Sequence, residues 1–104
     1  MLGNAVVKRF LFNNVTVGAV GAVTNVIVNV TVPAGTVAVG DKGFGIPSMA
    51  AMVSGMQPIV PCEATTATNV AMCFANASAG SLTPAATLDY EVYMFARTGN
   101  FTTV

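Results

Sequence analysis

An antiparallel β-sandwich or barrel of about six to eight short strands is the fold this sequence predicts. Three observations carry the prediction. Apolar and polar residues alternate with period two in several stretches, which is the signature of a strand with one buried face. Gly, Pro and Asn punctuate the chain at close intervals, as turns do. Finally, 54 % of the 104 residues are hydrophobic, yet no run reads as a long amphipathic helix. The length fits a single β domain over residues 1–104.

Residues 4–12 open the chain as a strand candidate in which Val6, Phe10 and Phe12 share a face with Lys8, and Val7 and Leu11 share one with Arg9. Apolar residues on both faces mark 1–12 as an N-terminal strand or an arm contacting a neighbour, with Phe10, Leu11 and Phe12 as interface candidates. Asn13-Asn14 reads as a turn, because Asn tolerates left-handed backbone. Residues 15–24, broken by Gly18 and Gly21, read as a short strand and loop.

The clearest strand covers residues 25–32. Val26, Val28, Val30 and Val32 point one way; Asn25, Ile27, Asn29 and Thr31 point the other. Pro33 ends it. Residues 36–39 offer another short strand, and Asp41-Lys42-Gly43 reads as a turn. Residues 44–54 are ambiguous between a helical turn after Pro47 and a strand over 49–53, with Met49, Met52 and Met56 near helical spacing and read as core filling. Residues 58–63 carry Pro58 and Pro61, which favours an edge strand.

The best-organised stretch is 68–97. Val70, Met72 and Phe74 form one large apolar row, opposite the small residues Ala71, Cys73 and Ala75. After a loop of small and polar residues, Tyr90, Val92 and Met94 form a second row, opposite Asp89, Glu91, Tyr93, Phe95 and Arg97. If the Tyr90 row is core, Tyr93, Phe95 and Arg97 face outward. Aromatic and Arg side chains are favoured interface anchors, so these three are interface candidates.

Charge is scarce. Only 8 % of residues are Asp, Glu, Lys or Arg and the net charge is zero, against a usual ~25 % charged. A folded chain of this mass exposes roughly 5,500 Å², which is one charge per about 700 Å². A surface this poor in charge favours association, which implies a homo-oligomer or a large interface with another protein. No basic stripe is present to neutralise phosphates, so no nucleic acid partner is expected. The N-terminus reads as no secretory signal, and no apolar run is long enough for a membrane-spanning helix.

Catalysis has little to work with, and no enzyme activity, cofactor, metal or small-molecule substrate is expected. The chain has no His, which removes the imidazole base. Asp89 and Glu91 lie two apart on one strand face, where solvated carboxylates guard against aggregation more often than they bind a cation. Gly40, Gly43 and Gly45 lack the strand–loop–helix setting of a phosphate loop. Four Asn-X-Ser/Thr matches, at Asn14, Asn29, Asn76 and Asn100, follow from a chain rich in Asn and Thr. Two cysteines, Cys62 and Cys73, are too few for a disulfide framework and read as thiols.

A Val-rich strand is followed by Val39-Gly40-Asp41 and an apolar segment after Ile46-Pro47. Next come a strand ending Phe74-Ala75-Asn76, a Ser81-Leu82-Thr83-Pro84 loop and a final strand ending at Arg97. This order resembles the small β-sandwich virion proteins of tailed bacteriophages, of the capsid decoration (cement) or head-fibre type. The resemblance spans roughly residues 25–97; the N-terminal strand and the Met-rich segment have no counterpart in it. It implies a structural protein of the virion, assembled in the host cytoplasm, that binds the major capsid protein or another virion protein and stabilises the shell. A fibre or adhesin module that recognises a host glycan, and a self-assembling sheath or tube subunit, are the alternatives.

Overall fold

The computed structural model describes residues 7–48, 55–56, 58–84 and 88–96. They form six antiparallel strands: β1 (Val7–Val15), β2 (Thr24–Thr31), β3 (Lys42–Pro47), β4 (Val60–Thr66), β5 (Asn69–Asn76) and β6 (Leu88–Phe95). All six belong to one sheet, in the order β1-β6-β3-β4-β5-β2, curled into a half-barrel. The described residues contain no helix. The all-β antiparallel expectation is thus met at six strands, in the barrel-like form.

Alternation sets which side chains line the concave side. β5 buries Val70, Met72 and Phe74, and β6 buries Tyr90, Val92 and Met94, as their two-residue period requires. β4 adds Val60, Cys62 and Ala64, and β1 adds Phe12 and Val15. Tyr90 meets Phe74 edge to face, with ring centroids 5.4 Å apart, an arrangement favoured by the ring quadrupoles. Strands β1 and β2 follow one another in the chain yet occupy opposite edges of the sheet. Their connection, 16–23, therefore spans the open side of the half-barrel and buries Val17 and Val20 there. The β2–β3 connection contributes Val32 and Val37 to the same core.

Several local expectations change. Asn13-Asn14 is a bulge inside β1 and not a turn. Two residues separate Phe12 from Val15, while one separates their partners Tyr90 and Leu88. The extra residue lets Phe12 and Val15, three apart, both face the core, and Asn14 takes up the left-handed backbone at φ 56°. Residues 36–39 form no strand. Lys42 and Gly43 belong to β3 and not to a turn. Strand β4 is interior and not an edge, despite Pro61. Its ladder with β5 begins only at Cys62, one residue past the proline, so the missing N–H falls outside that ladder. Residues 49–54 and 97–104, which include Met49, Met52 and Arg97, lie outside the described residues.

Strand β3 works because its inward positions are glycine. A Cβ on Gly43 would overlap the Tyr93 carbonyl of β6, and one on Gly45 would come within 3.3 Å of Met72 Cε and Val92 Cγ2. The space at Gly43 is taken by the β6 backbone, and that at Gly45 by neighbouring side chains. Buried Asp41 then secures the entry to β3: its carboxylate accepts a bond from Ala38 N at 3.0 Å, and its backbone carbonyl accepts one from Ala64 N at 2.8 Å.

Val23 sits at φ 53° and is 77 % exposed. Left-handed backbone costs an ordinary L residue about 1–2 kcal/mol, and β-branching worsens the fit. The two sites predict opposite effects in thermal unfolding followed by circular dichroism. Gly43→Ala should lower stability by about 3 kcal/mol or more, since backbone rather than a flexible side chain must move. Val23→Asn should raise it by about 1 kcal/mol, several degrees in a domain of this size.

Candidate functional site

The convex face of the sheet is where the exposed apolar side chains gather. Among the described residues, five of the eight exposed large hydrophobics lie on it: Val7, Leu11, Ile27, Ile46 and Phe95, each 43–59 % exposed. The other three, Val23, Val39 and Ile59, lie outside the strands. A sheet with one solvated face normally puts polar residues there. Here the face has no covering layer among the described residues.

Register explains how distant residues meet on this face. Arg9 pairs with Tyr93 across β1 and β6, Tyr93 with Phe44 across β6 and β3, and Phe44 with Pro61 across β3 and β4. The next row runs Val7, Phe95, Lys42, Glu63, Ala71 and Asn29. The Phe44 ring lies 5.5 Å from Tyr93 and 6.1 Å from Phe95, so three aromatic rings form one ridge. Arg9 extends it, with its guanidinium carbon 5.7 Å from the Tyr93 centroid.

Four of the charges on the face, Arg9, Glu91, Lys42 and Glu63, are paired with one another. Tyr93 donates its hydroxyl hydrogen to Glu91 Oε1 at 2.9 Å, and Arg9 stands 3.9 Å from the same oxygen. Lys42 Nζ lies 3.1 Å from Glu63 Oε1, on directly opposed residues of β3 and β4. These pairs are exposed and contribute little stability. Their effect is on the surface: they hold opposite charges together beside the apolar ridge, which lowers the cost of covering it.

Beside the ridge the face is hollow. A depression of ≈ 500 Å³ opens over β4 and β5, lined by Ile27, Lys42, Pro61, Glu63, Ala71 and Cys73. It exists because β5 presents only small residues outward. Ridge and hollow make a relief that a partner surface can match.

The sequence-predicted interface residues divide accordingly. Tyr93, Phe95 and Leu11 stand on the convex face, the first half-buried and the others exposed. Phe10 and Phe12 point inward; Phe12 is buried in the core and Phe10 packs half-buried against it. Arg97 lies outside the described residues. The sequence reading missed Phe44 and Ile46, because β3 was not recognised as a strand, and it placed Ile27 on the face opposite the valines without counting it as an interface candidate. Lys42-Gly-Phe-Gly-Ile46 alternates only when its glycines are read as inward positions, which the neighbouring strand and not the local sequence decides. Asp89 and Glu91 do share an exposed face, with Glu91 engaged by Tyr93 and Arg9. Among the described residues no three His, Cys, Asp or Glu side chains converge as metal ligands would.

The two cysteines lie on opposite sides of the sheet and share no disulfide. Cys62 is in the core, where burial pushes its thiol up to about 12 from 9.0. Cys73 is half-buried on the convex side.

No protein-family model, curated protein or solved structure matches this chain.

The thiols give a test of the face assignment. Under native conditions a maleimide should label Cys73 well before Cys62, read by mass spectrometry of digests. Stability should hold below pH 9 and fall between pH 9 and about 12, because the unfolded chain releases the Cys62 proton in that window while the folded chain retains it. Burial also raises the Tyr90 pKa, with the same sign. Cys62→Ala should flatten the alkaline limb by about 1 kcal/mol per pH unit.

Proposed function

We propose that this chain is a non-enzymatic structural subunit that works by laying its convex face on a repeating protein surface. The most specific form of the proposal is a capsid decoration protein of a tailed bacteriophage, bound to the major capsid protein or another virion protein. The observation that carries it is the convex face itself, an aromatic ridge of Phe44, Tyr93 and Phe95 amid exposed aliphatic residues, with Arg9–Glu91 and Lys42–Glu63 paired on it. The capsid rests in addition on the sequence resemblance over roughly residues 25–97.

Size decides what kind of binding this face supports. Six strands spaced about 4.8 Å apart and about 20 Å long present roughly 600 Å². A standard stable interface takes about 800 Å² from each partner. A single contact through this face is therefore modest, and a lattice suits it: repeated weak contacts, or contacts that bridge two subunits, sum through effective concentration. The mechanism is burial of apolar area across neighbouring shell subunits, with no contact to packaged nucleic acid.

A second reading has its own observation. An exposed aromatic ridge flanked by Glu91 and Arg9 is also what a glycan-binding fibre module uses, since rings stack on sugar faces while polar groups fix hydroxyls.

The test is co-sedimentation of the purified chain with isolated capsid shells. Tyr93→Ala combined with Phe95→Ala should weaken capsid binding by tenfold or more while leaving the circular dichroism spectrum unchanged. A chain indifferent to capsids, or a double variant that binds as well as the parent, would sink the proposal. A glycan-array signal lost in the same variant, without capsid binding, would move the assignment to the fibre module.

A further inference from the structure

The two edges of the sheet are not alike. Strand β1 carries Lys8 and Arg9 and a bulge at Asn13-Asn14. Charges and bulges are how edge strands are kept from pairing with other chains. Strand β2, at the opposite edge, has none of these. Its eight residues, TNVIVNVT, contain no charge and no proline, and all eight pair with β5 without a register shift. On its other side β2 has no strand partner among the described residues. Its inward side chains Val26, Val28 and Val30 are only half-buried, because the core ends there.

The β2 sequence also matches itself. Asn25-Val26-Ile27-Val28-Asn29 reads the same in both directions. Antiparallel pairing of two such strands about a two-fold axis normal to the sheet at Ile27 sets residue i opposite 54 − i. Odd positions then meet odd positions, and even meet even, so both faces of the sheet stay in phase. Ile27 meets Ile27, Val26 meets Val28 and Asn25 meets Asn29. On the concave side the half-buried valines of the two copies join into one apolar row. On the convex side two Asn–Asn pairs flank an Ile–Ile pair. Centring the axis on Val28 instead would set Ile27 against Asn29, a poorer cross-strand match.

We propose that the chain forms a closed two-fold dimer by antiparallel β2–β2 pairing centred on Ile27, joining two half-barrels into one twelve-stranded sheet. The occupant of the edge is a second copy of this chain. Pairing of β2 with β1 of another copy would be head-to-tail and would propagate into filaments; the charges and bulge of β1 oppose it. The dimer stands on the β2 edge alone and holds whether or not the convex face docks on a capsid.

Sedimentation velocity of the full chain tests it with three variants. The parent should sediment as a dimer. Ile27→Lys, which sets two ammonium groups opposite each other at the axis, should weaken dimerisation by roughly tenfold or more. Leu11→Lys, on the convex face of β1, should leave it unchanged. Ile27 lies opposite Cys73 within the subunit, so cross-linking is read in a Cys73→Ala background. There Ile27→Cys should form an intermolecular disulfide on mild oxidation, because directly opposed residues hold their Cα atoms about 4.5–5.5 Å apart. This second readout holds even if the lysine variant fails to fold. A monomeric parent overturns the proposal. So does a dimer that survives Ile27→Lys without cross-linking through Ile27→Cys, or one lost in Leu11→Lys and kept in Ile27→Lys.

Discussion

The structure depends on the side chain of Asn76, buried at the end of β5. Its amide nitrogen donates to the carbonyls of Val20, Gly21 and Gly80 at 2.8–3.2 Å. Its oxygen accepts from Ser78 N at 2.8 Å and Ser78 Oγ at 2.7 Å. One residue thus ties two backbone stretches, 20–21 and 78–80, to the sheet and leaves its own polar atoms satisfied, as burial demands. Two of these carbonyls accept a second bond, Val20 O from Leu82 N at 3.0 Å and Gly80 O from Ser78 Oγ at 2.8 Å, so Asn76 closes a network rather than filling isolated gaps. The neighbouring Val20–Leu82 bridge, with N–H to O distances of 2.7 and 3.0 Å in its two directions, lies in the same knot.

The knot matters because of the strand order. A single curled sheet has one layer, and a one-layer sheet must find cover for its concave side. Two edges that follow each other in sequence solve this, since the 16–23 connection must cross the opening and can bring Val17 and Val20 with it. A crossing loop is stable only if its backbone polar groups are satisfied on arrival. Asn76 supplies that where the crossing reaches β5, and Asp41 does the equivalent for the β2–β3 connection through Ala38 and Ala64. The core is therefore part sheet and part loop, and the two are joined by the Asn76 amide and by backbone bonds such as Gly40 N to Ala64 O and Val32 N to Thr68 O.

That division explains what could be read from the chain. The rows Val70/Met72/Phe74 and Tyr90/Val92/Met94 were legible because strict alternation of large apolar residues has one meaning in a half-buried strand. The outward position of Tyr93 and Phe95 followed from the same period. Strand β3 was not legible, because Gly43, Gly45 and Pro47 are residues that strands usually avoid. The two glycines are there for close approach, a property of the neighbour and not of the local sequence. The bulge at Asn13-Asn14 looked like a turn for a similar reason: the residue that permits a turn also permits a left-handed bulge, and only the register with β6 separates them. Pro61 pointed to an edge, whereas the β4–β5 ladder simply starts after it. The role of Asn76 was hidden because its partners lie four and more than fifty residues away.

The convex face and the β2 edge are perpendicular surfaces, so one can be occupied without obstructing the other. Edge pairing about an axis normal to the sheet sets the convex faces of both copies on the same side. Two faces of roughly 600 Å² then become one surface of roughly 1,200 Å², which passes the contribution a stable interface asks of one partner. The dimer would carry two aromatic ridges, each at the β6–β3 side of its own half and separated by the small-residue hollows over β4 and β5. On a repeating surface with local two-fold axes, the second ridge of such a dimer would bind as an intramolecular event once the first is seated. Edge and face together are a small part of the 6208 Å² the subunit exposes, and on that part the pairs Arg9–Glu91 and Lys42–Glu63 set opposite charges side by side, which lowers the repulsion a partner would meet.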